Sequence, residues 1–147
     1  MSNEQADSLL ASARALRRAA GGGRRPLLQG RNVALLTAPG GAPAGELFAT
    51  AAAGLGATLA RVGGDGLDGG NPGHLKRVAH LFGCLYDALD CEGIAPDVVQ
   101  RLAALLPVPV FDGLAGPAHP TATLAAQVGD DDARVFVIQA ALLAAIS

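Results

Sequence analysis

Val33-Ala34-Leu35-Leu36 is an unbroken apolar run bounded by Gly30 and Pro39. It is too short for a helix and shows no polar alternation. It therefore reads as a strand buried on both faces, the kind found inside a parallel sheet. The flanking segments repeat the theme. Ala44 to Leu55 is predicted as a helix stopped by Gly56, with Pro43 suited to its first position. Thr58 to Val62 comes next as a strand, and Leu75, Val78, Ala79, Phe82 and Leu85 mark another helix. Ala88 to Cys91 is then a brief strand, Pro96 to Leu105 a helix, Val108 to Phe111 a strand and Pro120 to Val128 a helix. Strand and helix in strict alternation imply an α/β fold of three layers, with four parallel strands, helices on both faces and right-handed crossovers.

The two ends stand outside that alternation. Ala6, Leu9, Leu10, Ala13 and Leu16 recur at helical spacing, so Glu4 to Ala20 is predicted as an amphipathic helix ended by Gly21-Gly22-Gly23. At the other end, Asp131 and Asp132 suit a helix N-terminus, and Val135, Ile138, Leu142 and Ile146 line one face. Phe136, Val137 and Leu143 fill much of the rest, so this helix must be buried against the domain or between subunits. A fifth strand over Arg134 to Ile138 is the competing reading, and length favours the helix. The two terminal helices are expected to pack together in a single domain, 1–147, divided into a main body 1–128 and a terminal helix 130–147.

Half of the 147 residues are hydrophobic but only 3% are aromatic, so Ala, Leu and Val must build the core through close packing. The net charge of −2 hides a basic start, with Arg14, Arg17, Arg18, Arg24, Arg25 and Arg31 set against Glu4 and Asp7. Without a Lys-rich stripe or stacking aromatics, this is read as a solvated helix face and no nucleic-acid partner is expected. Cys84 and Cys91 show no zinc spacing and are expected to be reduced core residues. The polar N-terminus does not resemble a signal peptide, and the apolar run from Val135 to Ile146 is too short to span a bilayer. A soluble cytoplasmic protein with no membrane partner is the expectation.

Gly64-x-Gly66-x-x-Gly69 matches the dinucleotide-binding pattern, but Asp65 and Asp68 lie inside it and Pro72 precedes the helix. Its context is that of a connector. His119 lies just beyond the C-terminal end of a strand, where open parallel sheets bind ligands. It can cap its own helix or donate a hydrogen bond to a carbonyl, and the sequence names no partner for it. His74 and His80 are expected to face solvent. No nucleophile–base arrangement or carboxylate pair stands out, and no catalytic residue, metal ligand or cofactor is assigned.

Several segments in order resemble the aspartate/ornithine carbamoyltransferase family. Leu28-Gln29-Gly30-Arg31-Asn32-Val33-Ala34-Leu35-Leu36 is similar to its L-x-G-K-x-V-A-L-L entry into the first strand. Tyr86-Asp87-Ala88-Leu89 resembles V-D-A-I, Val108 to Leu114 resembles V-P-V-I-N-G-L, and His119 to Ala125 resembles H-P-C-Q-A-L-A. Asp132-Ala133-Arg134 through Leu143 resembles the family's final helix. The resemblance implies an N-terminal carbamoyl-phosphate domain joined to that final helix, with the acceptor-binding domain missing.

It also locates departures. The family's S-T-R-T phosphate motif would fall on Gly41, Ala42, Pro43 and Ala44, its next phosphate-contacting Arg near Glu92, and the Gln of H-P-x-Q on Ala122. The residual substrate-binding positions are thus His119, Gly41, Ala42 and Ala44. These departures imply a degenerate, non-catalytic binding or assembly module; the resemblance itself implies a homotrimer, with a full-length carbamoyltransferase as a further candidate partner. The alternative is a small-molecule or residual carbamoyl-phosphate site related to ornithine metabolism.

Overall fold

In the computed structural model, the described residues are 2–20, 27–38, 43–64, 72–129 and 133–146. The order of elements is α1 (Asn3–Ala20), β1 (Asn32–Thr37), α2 (Pro43–Gly54), β2 (Thr58–Gly63), α3 (Pro72–Leu85), β3 (Ala88–Glu92), α4 (Pro96–Leu105), β4 (Val110–Asp112), α5 (Pro120–Val128) and α6 (Ala133–Ile146). The four strands are all parallel in the order β2-β1-β3-β4. The chain leaves β1 towards β2 on one side, then crosses back to β3 on the other. This makes the β1/β3 boundary the switch point of the sheet.

Strand parity divides the core in two. Val33, Leu35 and Ala88 face α2 and α6, where Phe48, Ala51, Ala52, Ile138 and Leu142 pack on them. Ala34, Leu36, Leu89 and Cys91 face the opposite way, against Leu75, Ala79 and Phe82 of α3 and Val98, Val99 and Leu102 of α4. Small residues let α2 and α6 approach closely. A Cβ added at Gly54 would lie 2.5 Å from Gln139 Nε2, and Gln139 itself, although buried, donates to the Ala51 carbonyl at 3.0 Å. A third cluster joins Leu10 and Ala13 of α1 to Leu124 of α5 and Val137 and Ala140 of α6, so the terminal helices do pack together.

The competing strand over Arg134 to Ile138 does not form. That segment is helical, with Val137 and Ile138 both fully buried, one against α1 and α5 and the other against α2. Other expectations need correction. The last strand is Val110–Asp112, not Val108 to Phe111; Pro109 has no N–H to donate to a ladder, although its carbonyl still accepts from Leu89. Helix α3 starts at Pro72, earlier than its first apolar residue, Leu75. Cys91 is buried but Cys84 is exposed on α3. Arg14 and Arg17 do not simply face water: they donate to the Gln127 and Val128 carbonyls, filling acceptors at the end of α5. His80 is exposed, as expected, and so is His74. Residues 65–71, with most of the glycine pattern, lie outside the described residues. Among the described residues, no helix is long and apolar enough to cross a membrane.

Candidate functional site

A cleft of about 760 Å³ opens at the C-terminal edge of the sheet, beside the switch point. Pro43 and Ala44 enter it from the first turn of α2, Glu92 and Gly93 from the end of β3, and Asp112 and Gly113 from the end of β4. The segment from Gly116 to Pro120 closes the remaining side and brings in His119. The expected positions His119 and Ala44 therefore meet in one cleft. Gly41 and Ala42 lie outside the described residues, and Ala122 does not line the cleft.

His119 caps α5, its Nδ1 accepting from the Thr121 N–H at 3.2 Å. That bond requires a lone pair on Nδ1 and leaves Nε2 as the protonated nitrogen of a neutral ring. Burial holds its pKa below the ordinary value, and the Arg134 charge lowers it further, against the pull of Glu92 and Asp112. Capping and ligand contact thus fall to opposite ring nitrogens, so the two roles left open for His119 are compatible.

Beside the cleft lies a carboxylate pair that the sequence did not single out, although Glu92 was noted there for its departure from the family pattern. Asp90 and Glu92 alternate with Cys91 along β3, so both carboxylates project from the same sheet face as Ala88. Each is at most 2% exposed. Gly113, at φ +64°, turns the chain back after β4, a conformation that favours glycine. The next two backbone N–H groups then point at β3: Leu114 donates to Asp90 Oδ1 at 3.0 Å and Ala115 to Glu92 Oε2 at 3.2 Å. Among the described residues, Asp90 Oδ2 receives no N–H or O–H bond. Its side-chain neighbour is Glu92, and two buried carboxylates hydrogen-bond only if one carries a proton. Burial, then the bond to Glu92 and its charge, push Asp90 up to about 9, which favours its protonated form. The signal was available in the sequence: carboxylates two residues apart in a strand share a face.

Arg134, near the start of α6, secures the other side of this segment. Its Nη2 donates to the Gly116 carbonyl and to Thr121 Oγ1, and Thr121 Oγ1 donates to the Leu114 carbonyl at 2.7 Å. Arg134 is thus engaged in holding protein groups; burial lowers its pKa and the nearby Glu92 charge works against that. Among the described lining residues there is no cationic side chain, and Glu92 and Asp112 are both acidic. No group of three or more His, Cys, Asp or Glu among the described residues is placed to hold a metal ion.

No family model matches the chain. It is 36% identical over 104 residues to the ornithine carbamoyltransferase of Cutibacterium acnes, an alignment covering 71% of this chain and 31% of that one. The catabolic ornithine carbamoyltransferase of Chromobacterium violaceum is 35% identical over 99 residues, covering 67% and 30%. The chain belongs to the aspartate/ornithine carbamoyltransferase family. Solved carbamoyltransferases share its fold. The Pyrococcus furiosus ornithine enzyme aligns with a TM-score of 0.71 at 21% identity, over 85% of this chain and 40% of that one. An aspartate transcarbamoylase from Trypanosoma cruzi, solved with N-(phosphonacetyl)-L-aspartic acid, gives 0.67 at 20%, over 87% and 41%. The chain spans less than a third of the curated carbamoyltransferases it matches.

Proposed function

We propose that this chain is a carbamoyltransferase-family module that does not transfer carbamoyl groups and serves in binding or assembly. One observation carries the reading: the cleft is lined by the acidic Glu92 and Asp112, and none of its described lining side chains offers a positive charge. Like charge at close range in a partly desolvated site opposes phosphate binding. Pro43 also removes one of the N–H donors that a helix N-terminus supplies to an anion. Calorimetry with carbamoyl phosphate and with inorganic phosphate tests this. No heat at millimolar ligand is expected; saturable binding, or carbamoyl transfer to ornithine, overturns it.

The assembly half of the proposal rests on α3 and α4, which pack side by side and leave Leu81, Leu85 and Leu105 about half exposed. Self-association into a trimer would cover such leucines. Sedimentation of the purified chain is expected to show a trimer that Leu81→Glu weakens, and a clean monomer refutes it. Co-purification with a full-length carbamoyltransferase tests the mixed assembly in the same way.

The cleft itself favours a second reading, in which a small neutral or cationic ligand takes the His119 Nε2–H and the two carboxylates. Saturable binding of such a ligand that is lost in Asp112→Asn supports it, and binding unchanged by that substitution counts against it.

A further inference from the structure

The segment from Gly113 to His119 forms a wall of the cleft, yet it has no regular secondary structure to hold it. Its position depends on side chains that reach it from three elements. Asp90 and Glu92 of β3 accept the Leu114 and Ala115 N–H groups, Thr121 of α5 binds the Leu114 carbonyl, and Arg134 of α6 binds the Gly116 carbonyl. The β3 contribution is unusual. Both carboxylates are buried, and among the described residues no cationic side chain lies within ion-pair distance of either. Beside Asp90 along the sheet lie Leu35 of β1 and Phe111 of β4, which offer no polar relief.

We propose that Asp90 and Glu92 form a one-proton latch: while they share a proton they fix the 113–119 segment, and its loss releases that segment and re-sets the cleft. With the proton in place, the Asp90 carboxyl donates to Glu92, and the outer oxygens of both groups accept the two backbone N–H bonds. Without it, two negative charges face each other at low dielectric, and one must turn away. Glu92 is the one that can, because it borders the open cleft. Turning releases Ala115, and the wall moves with it.

The surrounding groups set the balance. Asp112 at the end of β4 adds negative charge and favours keeping the proton on Asp90, while Arg134 from α6 is the cationic group whose charge interacts with Glu92. His119 is held towards its neutral form. Cys91 points to the opposite face, with its thiol pushed up to about 12, so it does not titrate before the pair. From α2, Glu46 is exposed and paired with Arg61, away from the latch.

The test tracks the Leu114 and Ala115 amide resonances and the His119 ring from mildly acidic to strongly alkaline pH. All three are expected to move with one midpoint, well above the ordinary carboxylate range and below the Cys91 thiol. Protection of the two amides against solvent exchange, corrected for the intrinsic rate, is expected to fall about tenfold across it. At neutral pH the infrared spectrum should show the carbonyl stretch of a buried protonated carboxyl group. Asp90→Asn supplies a permanent donor of the same shape. It should keep both amides protected, abolish the transition and remove the infrared band. Glu92→Gln is the second locked form and should do the same.

A merely structural pair would leave His119 and amide protection unmoved by pH, and that result overturns the latch. A midpoint in the ordinary carboxylate range overturns it too, as does the lack of the infrared band. If neither locked variant gives the folded spectrum, a fixed donor does not replace the proton, and the latch is equally refuted.

Discussion

The two faces of the sheet meet the same strands but solve different problems. On the α3/α4 side the inward residues of β1 and β3 (Ala34, Leu36, Leu89 and Cys91) are apolar or soft along their whole length. On the α2/α6 side the pattern begins the same way, with Val33, Leu35 and Ala88, but at Asp90 and Glu92 it changes to carboxylates. The change falls where β3 approaches the cleft. One face is therefore held by shape alone. The other is held partly by polar bonds whose strength depends on a proton.

Substitutions on the two faces should separate these modes. The largest loss is expected for Leu36→Ala on the apolar face, about 2–5 kcal/mol in urea denaturation, because removing a fully buried side chain leaves a cavity. This cost should hardly vary with pH. Next comes Asp90→Asn, one position from Leu89 but on the other face, which should stabilise by on the order of 2 kcal/mol at pH 7. The sign comes from a folded-state pKa raised from 3.8 to about 9. The native state keeps a proton that the unfolded chain releases, so the contribution of Asp90 is complete below pH 3.8 and is lost progressively up to about 9. The wild-type stability curve should fall across that window relative to the variant; parallel curves would erase the distinction between the faces.

Thr121→Val should cost about 1–3 kcal/mol, since it strands both the Leu114 carbonyl and one Arg134 bond. Double-mutant cycles with Arg134→Met should show strong coupling, whereas additivity would mean the two residues act separately. The smallest effect is expected outside both faces. Glu46→Gln removes an exposed pair with Arg61 and should change stability by less than about 1 kcal/mol, least of all in high salt.

The fold was legible because its signals are local. The run from Val33 to Leu36, the glycine after Leu55 and the prolines at helix starts each announce an element without outside help, and their alternation limits the topology. Where the local pattern admitted two forms, a tertiary partner decided: the face that Val137 presents to α1 and α5 fits Arg134 to Ile138 as a helix. The last strand begins after Pro109 because apolar character marks burial, while a ladder also needs N–H groups. The site was half legible. His119 could be placed at the sheet edge by topology, and Ala44 and Glu92 were marked by where the family pattern falls on this sequence. Asp90 and Arg134 were not, because their importance comes from meeting a segment well removed in the chain. Spacing of two in a strand signals a shared face, but burial of both carboxylates depends on how Gly113 turns the chain above them.

The cluster that joins α1 to α6 carries a consequence for the time course of folding. Leu10 and Ala13 are made before any of the four strands, and their partners Val137 and Ala140 after all of them. An amphipathic helix draws most of its stability from packing its apolar face, so α1 has little to settle against while the ribosome completes the sheet. Contacts that bridge such a length of chain belong among the slow steps. During synthesis α1 therefore stays open to proteases and chaperones long after it emerges. A circular permutant that joins α6 directly to α1 should fold faster, with the sheet unchanged.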